Sequence, residues 1–477
     1  MGYYRPRLVK VRNDCIPKRN WNSEDSALLN EFIQRPWEIL VSSLEIMGQD
    51  LPLGMKIDAM VSRAMHGMSR PDPIPFSSAE PPTLQTPHRG GVQEQPAQSR
   101  DALILSGGGA YAAYEVGVMK ALFTGQSSAT GNVAWDPGIV VGTSAGSLNA
   151  GLLLSAEKEG PGAVEYLEEV WMNEVADGPG KCGSGVFRFR ENPLTFLTPG
   201  CYRSPAWLIA SFLSDSAFLG REFLERGARV LDSSVDIEQR LLETVDLGAL
   251  ISVEPLQQLL RKSLRLEKIR ASRKQIRIAS TNWRTGEIRI FSNEDMSDEI
   301  GYDVIQASSS IPGVFPRVEI ENDPYVDGGL VMNTPLKPAI DAGAEVLQVI
   351  FMDADVAHIP LPKLANTPNE IFRSLIIGFS RTLKQDLELA AKANRMIAAV
   401  ASAPDTGPIE SKAAVFARGS DGKPHRPLTI HLHHPMTALG GSWLSFGQDQ
   451  VKQSMERGYE DGVHHDCETN GCLLAKQ

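Results

Sequence analysis

Residues 139–151 read Ile-Val-Val-Gly-Thr-Ser-Ala-Gly-Ser-Leu-Asn-Ala-Gly, an apolar run followed by a serine between two glycines. The β-branched run predicts a buried strand, and the leucines at 152–154 predict that a helix follows. A sharp turn between a strand and a helix is the context of a nucleophile elbow, in which Gly142 and Gly146 let the backbone fold tightly around Ser144. A glycine-rich turn without chemistry explains the same five residues, so the rest of the chain must decide between the two interpretations.

A second glycine-rich segment lies upstream. The apolar run 102–105 ends in Ser-Gly-Gly-Gly, and a helical pattern begins a few residues later. The N–H groups of Gly107–Gly109 can approach a substrate closely, as an oxyanion hole requires. A dinucleotide-binding fingerprint would need glycine at position 112, which is alanine, and an acid about 20 residues on, which 125–135 lacks. We therefore favour the oxyanion-hole interpretation.

Asp327 is the candidate general base. It follows the short extended run 324–326 and precedes Gly328 and Gly329, so its carboxylate can be reached without crowding at the end of a strand. An ordinary Asp-Gly turn has the same local sequence. Taken alone, this motif does not distinguish a catalytic aspartate from a turn.

Taken in order, the motifs at 107–109, 142–146 and 327–329 resemble those of the patatin-like lipid acyl hydrolases. Further segments resemble the family's middle strands and the flanks of its aspartate, at 279–282, 285–287, 307–316 and 333–335. The resemblance runs from about residue 101 to 352, extends towards 462 and leaves 1–100 uncovered.

The resemblance implies a Ser–Asp dyad without histidine. Ser144 would attack an ester carbonyl, Asp327 would take its proton, and the oxyanion would be held by backbone N–H groups of Gly107, Gly108, Gly109 and Ala110. Such a mechanism needs no metal and no cofactor. One departure stands beside this loop, because Tyr111 and Ala112 replace the basic residue and the glycine that the family usually carries there.

Strands alternating with helices indicate a three-layer α/β/α domain with a mainly parallel sheet. Strands are predicted at 276–280, 287–291, 346–351 and 428–433, and long helices at 369–400 and 447–460. We expect a helical N-terminal region (1–70), a Pro-rich linker (71–100), a catalytic core (101–352) with an aromatic-rich insertion (181–225), a completing segment (353–465) and a tail (466–477).

The composition argues against several classes of protein. The 477 residues carry a formal net charge of −11, which disfavours nucleic acid as a partner. No apolar run approaches the roughly 20 residues that span a bilayer. Residues 1–19 lack the apolar core of a signal peptide, so we expect a cytoplasmic protein that acts peripherally at a membrane. The sequence does not determine an oligomeric state.

The five cysteines, Cys15, Cys182, Cys201, Cys467 and Cys472, do not form a disulfide framework in so long a chain, which favours a reducing compartment. The pattern His464-His465-x-Cys467-x4-Cys472 matches no common zinc spacing. His431 and His433 alternate along a predicted strand and are interpreted as residues of its surface. We therefore expect no metal site.

These observations lead to a serine lipid acyl hydrolase, of phospholipase A or lysophospholipase type, that acts on lipid or phospholipid esters. One alternative is an α/β-hydrolase esterase whose triad is Ser144, Asp327 and one of His431, His433 or His434, since the chain order Ser…Asp…His is satisfied. The other is a catalytically silent lipid-binding or interaction module, which the altered residues Tyr111 and Ala112 suggest.

Overall fold

The computed structural model describes residues 100–177, 184–190, 213–221, 251–352, 356–359, 361, 367–401 and 426–475. The expected helical region 1–70, almost all of the linker and most of the insertion 181–225 lie outside these residues. The chain divides into two units, Met1–Val92 and Gln93–Gln477, and every described residue belongs to the second.

Ten strands occur among the described residues. They are β1 (Asp101–Leu105), β2 (Ile139–Thr143), β3 (Arg188–Phe189), β4 (Ile251–Ser252), β5 (Gln275–Asn282), β6 (Ile288–Phe291), β7 (Val318–Ile320), β8 (Asp323–Asp327), β9 (Val346–Ile350) and β10 (Thr429–His433). The predicted strands near 276, 287, 346 and 428 are therefore confirmed, each to within two residues at its ends.

The described α-helices are α1 (Ala113–Phe123), α2 (Ala145–Ser155), α3 (Pro161–Val170), α4 (Glu254–Ser263), α5 (Leu266–Ala271), α6 (Gly301–Ser308), α7 (Gly329–Met332), α8 (Leu336–Asp341), α9 (Thr367–Ala401), α10 (Gln448–Val463) and α11 (Cys467–Asn470). Short 3-10 turns include Gly109–Ala112, and a π-helical turn covers Trp171–Val175. None of these helices is long and apolar enough to cross a bilayer.

Eight of the strands form one sheet in the order β10-β9-β1-β2-β5-β8-β7, with β6 also paired to β5. The first five run parallel, whereas β6, β7 and β8 pair antiparallel. Successive side chains of a strand point to opposite faces, and two hydrophobic cores follow from this. Leu103 and Leu105 of β1 enter one core, while Ala102 and Ile104 enter the other.

The helices cover both faces of the sheet. Residues of α1, α2, α3 and α10 belong to the core that contains Leu103, whereas residues of α8 and α9 belong to the core that contains Ile104. The result is the predicted three-layer α/β/α architecture. Strands buried on both faces are nearly continuous apolar runs, which is why β1 and β2 could be recognised in the sequence.

Pairing along β5 brings two distant strand ends together. Thr143, the last residue of β2, pairs with Ala279, and Asp327, the last residue of β8, pairs with Ser280. Since Ala279 and Ser280 are neighbours on β5, the ends of β2 and β8 meet at one point of the sheet. Residue 144 therefore begins its turn beside Asp327.

Candidate active site

Ser144 lies on a strained turn between β2 and α2. Its φ is 54° and its ψ is −126°, a backbone conformation that few residues other than glycine adopt. The two glycines of the motif provide the space for it, because a Cβ at Gly142 would lie 2.5 Å from the Gly146 carbonyl oxygen, and one at Gly146 would lie 2.4 Å from the Leu105 oxygen. The turn has the geometry of a nucleophile elbow.

Neighbouring serines hold this turn in place. The Ser144 N–H donates to Oγ of Ser308 at 3.0 Å, and that hydroxyl donates to the Ala279 carbonyl at 2.7 Å. Oγ of Ser309 donates to the Ser144 carbonyl at 3.1 Å. The strained residue is thus bonded on both sides of its Cα, and its side chain stays in one position.

Asp327 faces the Ser144 side chain. Oγ of Ser144 donates a 2.6 Å hydrogen bond to Oδ2 of Asp327, and the Gly329 N–H donates to Oδ1 at 2.7 Å. Gly328 lies against β5, where a Cβ would meet the Ala279 carbonyl at 2.2 Å. Both glycines after Asp327 therefore have a role: one allows the chain to pass the sheet, and the other donates to the carboxylate.

Burial controls the proton affinity of this carboxylate. Loss of hydration raises the pKa of Asp327 to about 7, and the hydrogen bonds from Ser144 and Gly329 oppose that rise. A carboxylate with a pKa near neutrality can accept a proton and return it within one reaction cycle. The Ser144 hydroxyl is therefore hydrogen-bonded to a buried carboxyl group whose pKa lies near neutrality.

The glycine loop lies on the other side of Ser144, and the four N–H groups predicted for an oxyanion hole are not equivalent. That of Gly107 donates to the Asn333 carbonyl at 3.2 Å, and that of Ala110 donates to the Trp443 carbonyl at 2.7 Å. Among the residues that the structure describes, the N–H groups of Gly108 and Gly109 have no acceptor. Only these two remain available to a substrate.

Tyr111 and Ala112, which depart from the family pattern, are accommodated in the structure. The Tyr111 hydroxyl donates to the Gly441 carbonyl at 3.0 Å, so this side chain ties the loop to the segment after β10. Ala112 is buried with φ −65°, an ordinary helical value that does not require glycine.

A buried polar network fixes the helix that follows the loop. Asn149 donates to the Ala112 carbonyl at 3.0 Å and to Glu115 at 2.8 Å, and it accepts from the Trp171 indole at 2.7 Å. Burial raises the pKa of Glu115 well above its usual range, and the hydrogen bond from Asn149 opposes that rise. The network joins α1, α2 and the π turn beneath the active site.

An apolar pocket opens beside Ser144 and Asp327. Its empty volume, including the part open to solvent, is about 650 Å³. Besides the glycine loop and Asn333, it is lined by Ile311, Pro312, Leu330, Leu375, Ile376, Phe379 and Trp443. A site with two polar reacting groups and apolar walls suits a ligand with a long hydrocarbon part.

Several residues of this site were not predicted as site residues. Asn333, Ser308 and Ser309 lie within segments that resemble the family, but no local signal gave either serine a role. Trp443 and the residues of α9 lie more than 100 residues from the elbow in sequence. A polar residue shortly after Asp-Gly-Gly, as Asn333 is, was the one available signal.

The histidines of the alternative triad lie elsewhere. They belong to β10 or follow it, and β10 is three strands from β2, about 14 Å at a spacing of about 4.8 Å. His433 is buried with its Nε2 2.7 Å from Gln348, and His434 stacks on Phe351. None of the pocket-lining residues is a histidine within the part of the chain that the structure describes.

Comparisons with known proteins bear on this geometry. Residues 103–340 match the family model described as patatin-like phospholipase. Among solved structures, the chain is similar to VipD from Legionella pneumophila, with 13% sequence identity, a TM-score of 0.32 and an alignment that covers 77% of this chain and 66% of VipD. No curated protein matches. The family match contains both Ser144 and Asp327, and through residues 103–340 the chain belongs to the patatin-like phospholipase family.

Proposed function

We propose that this protein is a serine lipid acyl hydrolase of phospholipase A or lysophospholipase type, with Ser144 as nucleophile and Asp327 as general base. The observation that carries the proposal is the 2.6 Å hydrogen bond from Oγ of Ser144 to Oδ2 of Asp327. It joins a hydroxyl on a strained elbow to a carboxylate whose pKa is near 7. Family membership supports a hydrolase of lipid esters.

Acylation begins when Ser144 attacks the ester carbonyl and its proton moves to Asp327. The tetrahedral intermediate carries a negative charge on the former carbonyl oxygen. As this intermediate collapses, the carbon–oxygen bond to the alcohol breaks, and the departing oxygen takes the proton from Asp327. The products of this half-reaction are the free alcohol, which is a lysophospholipid when the substrate is a phospholipid, and an acyl-serine.

Deacylation uses the same two groups. Asp327 takes a proton from a water molecule, whose oxygen attacks the acyl-serine carbonyl. The second tetrahedral intermediate then breaks its bond to Oγ, and Asp327 returns the proton to Ser144. The fatty acid leaves and the resting dyad is restored.

The oxyanion hole of this mechanism has fewer N–H donors than the four that the sequence predicts. Because Gly107 and Ala110 already donate to backbone carbonyls, we assign the two donors to Gly108 and Gly109. Two N–H groups that have no acceptor among the described residues, at the edge of an apolar pocket, can stabilise a developing charge more strongly than donors in water. The predicted roles of Gly107 and Ala110 become those of anchors for the loop.

Contact with a lipid surface is part of the proposal. Leu330 lines the pocket and is 47% exposed, and the adjoining Val331 and Ile377 are 43% and 48% exposed. Burying such side chains at the surface of a bilayer is favourable. An acyl chain could then move from the bilayer into the pocket without crossing water.

The experiment that tests the function measures covalent labelling and acyl release together. A fluorophosphonate probe should label Ser144 in the wild-type protein and fail to label Ser144→Ala. A panel of phospholipids, lysophospholipids and neutral acylglycerols should yield fatty acid with the wild type, and neither Ser144→Ala nor Asp327→Asn should release it above background.

Two outcomes would contradict the proposal. A folded wild-type protein that neither reacts with the probe nor releases acyl chains would be a silent lipid-binding module. Loss of activity on replacing His433 or His434 with alanine, in a protein that remains folded, would indicate a histidine-dependent triad in place of the dyad.

A further inference from the structure

Four potential metal ligands meet at the edge of the sheet that β10 forms. They are His431 of β10 and three residues of the C-terminal segment, His465, Cys467 and Cys472, and their ligand atoms all lie within 4.8 Å of one another. Sγ of Cys467 is 3.3 Å from Nδ1 of His431 and 3.4 Å from Nε2 of His465. Sγ of Cys472 is also 3.4 Å from Nε2 of His465.

The three sulfur–nitrogen separations given above match those of a tetrahedral zinc site. Zinc binds sulfur at about 2.3 Å and imidazole nitrogen at about 2.0 Å, so tetrahedral angles place the ligand atoms about 3.3–3.8 Å apart. The three sulfur–nitrogen distances already lie in that range. A tetrahedral set of two thiolates and two imidazoles is also a set of ligands that is typical of zinc.

The backbone brings the ligands together without the metal. Leu473 pairs with Ile430 of β10, with N–H to oxygen bonds of 2.7 and 2.9 Å in the two directions. Asp466 caps α11 by accepting from the N–H groups of Glu468 and Thr469. Strand β10 and the short helix therefore hold His431 and Cys467 facing each other.

Groups around the four ligands are arranged as metal ligands need. The Leu432 N–H donates to Sγ of Cys472 at 3.3 Å, a contact that stabilises a thiolate. Nδ1 of His465 lies 2.9 Å from Nδ2 of Asn470, and turning that amide by 180° would place its oxygen there, where it would accept the Nδ1–H. This second contact leaves Nε2 of His465 free to bind a metal.

Charge also favours a divalent cation here. Neutral imidazoles and deprotonated thiols are the forms of these side chains that bind a metal ion. Two thiolates would neutralise one Zn²⁺ ion, giving a centre with no net charge in a partly buried position. Binding would release the two thiol protons to solvent.

We propose that His431, His465, Cys467 and Cys472 bind one Zn²⁺ ion in a structural site. Four protein ligands complete the tetrahedron, which leaves no position for a substrate, so the site is not catalytic. It fastens the C-terminal segment to β10, the edge strand of the sheet. It also joins the two ends of the segment 432–464, which contains Trp443, the residue whose carbonyl accepts from the glycine loop.

The test uses the full chain purified under reducing conditions without chelator. Elemental analysis should find one zinc per chain. After removal of zinc, titration with Co²⁺ should give the intense visible bands of tetrahedral cobalt and a near-ultraviolet thiolate-to-cobalt band. A strong chelator should lower the melting temperature of the wild-type protein, and added zinc should restore it.

Variants identify the ligands. Cys467→Ser and Cys472→Ser should each lose most of the bound zinc and the thiolate-to-cobalt band. His464→Gln is the matched control and should keep both, because His464 is adjacent to His465 but its Nδ1 lies 3.0 Å from the Glu460 carbonyl. If a cysteine variant fails to fold, the cobalt spectrum of the wild type still decides whether the site exists.

Three results would overturn the proposal. The first is a reduced wild-type protein that contains no zinc and shows no tetrahedral cobalt bands. The second is an unchanged cobalt spectrum in Cys467→Ser/Cys472→Ser, which would put the metal elsewhere. The third is a disulfide between Cys467 and Cys472 in protein alkylated at the moment of cell lysis. All three are independent of whether Ser144 is a nucleophile.

Discussion

The Ser144 hydroxyl lies 2.6 Å from Oδ2 of Asp327, although 183 positions separate the two residues in sequence. Strand β5 accounts for this proximity, since its adjacent residues Ala279 and Ser280 pair with the ends of β2 and β8. The Asp327 carboxylate is almost fully buried, and loss of hydration raises its pKa. The predictions below follow from this pair and from the residues that surround it.

Activity should depend on the ionisation of Asp327. Because only the carboxylate can accept the Ser144 proton, kcat/KM should rise with pH, with a midpoint near 7, the pKa to which burial raises this group. The measurement is hydrolysis of a soluble ester from pH 5 to pH 9, with folding monitored across the same range. A midpoint near 4, the value of an exposed aspartate, would contradict the assignment.

Asp327→Asn should stabilise the protein more at alkaline than at acidic pH. The folded protein retains the Asp327 proton up to about pH 7, whereas the unfolded chain loses it near pH 4, so wild-type stability falls as the pH rises between these values. Asparagine does not ionise and escapes that loss. The free energy of unfolding of the variant, relative to that of the wild type, should therefore be about a few kcal/mol higher above pH 7 than at pH 4.

Thermal unfolding of both proteins at pH 5 and pH 8 measures this difference. The stability advantage of the variant should be larger at pH 8. Asparagine can still accept from the Gly329 N–H and donate to Ser144, so the native hydrogen bonds do not confound the comparison. An advantage that is equal at the two pH values would show that Asp327 titrates normally.

Gly109→Ala should reduce turnover while leaving the protein folded. Gly109 has φ +57°, and a Cβ there would lie 2.4 Å from the Trp443 carbonyl oxygen, so the loop must shift. Displacing one oxyanion donor costs about 10²–10³ in kcat. Gly131→Ala is the control, because Gly131 has a similar φ of +62° but open space around it, and its activity should match the wild type.

Asn149→Ala should destabilise the protein through its buried network. The change removes the partners of Glu115, of the Trp171 indole and of the Ala112 carbonyl at once, at a cost of about 3 kcal/mol. Glu115→Gln is the control and should lower the melting temperature much less, because glutamine keeps the shape of the side chain and its oxygen can still accept from Asn149. Equal destabilisation by both changes would contradict this account.

Negative charges introduced at the mouth of the pocket should weaken binding to lipid vesicles without lowering the rate of ester hydrolysis. Val331→Asp/Ile377→Asp should weaken partition to phosphatidylcholine vesicles about tenfold or more, because two exposed apolar side chains can no longer enter the interface. Hydrolysis of a soluble ester should remain near the wild-type rate.

The matched control for this surface is Leu389→Asp/Met396→Asp. Both residues are 62% exposed and lie on the same helix, α9, but well away from the pocket. This control should bind vesicles as the wild type does. Equal losses in both double variants would mean that the whole helix contacts lipid, and no loss in either would remove the membrane surface from the proposal.

The sequence by itself determined the parts of the site that depend on local geometry. A glycine-flanked serine between an apolar strand and a helix predicts a tight turn, so the local structure around Ser144 could be predicted from residues 139–151. Roles for Ser144 and Asp327 could be predicted only from the order of the three glycine-containing motifs together. The three-layer fold could also be predicted, since apolar runs and their periodicity reflect burial at each strand.

Only the tertiary structure decided what depends on pairing between distant segments. Local sequence does not encode the strand register on β5 that brings Ser144 next to Asp327. It also does not show that the N–H groups of Gly107 and Ala110 donate to backbone carbonyls. Nor does it place His431 beside Cys467, because 35 residues lie between them in the sequence. Strand pairing brings such positions within hydrogen-bond distance, and the pairing is selected by the packing of the whole sheet.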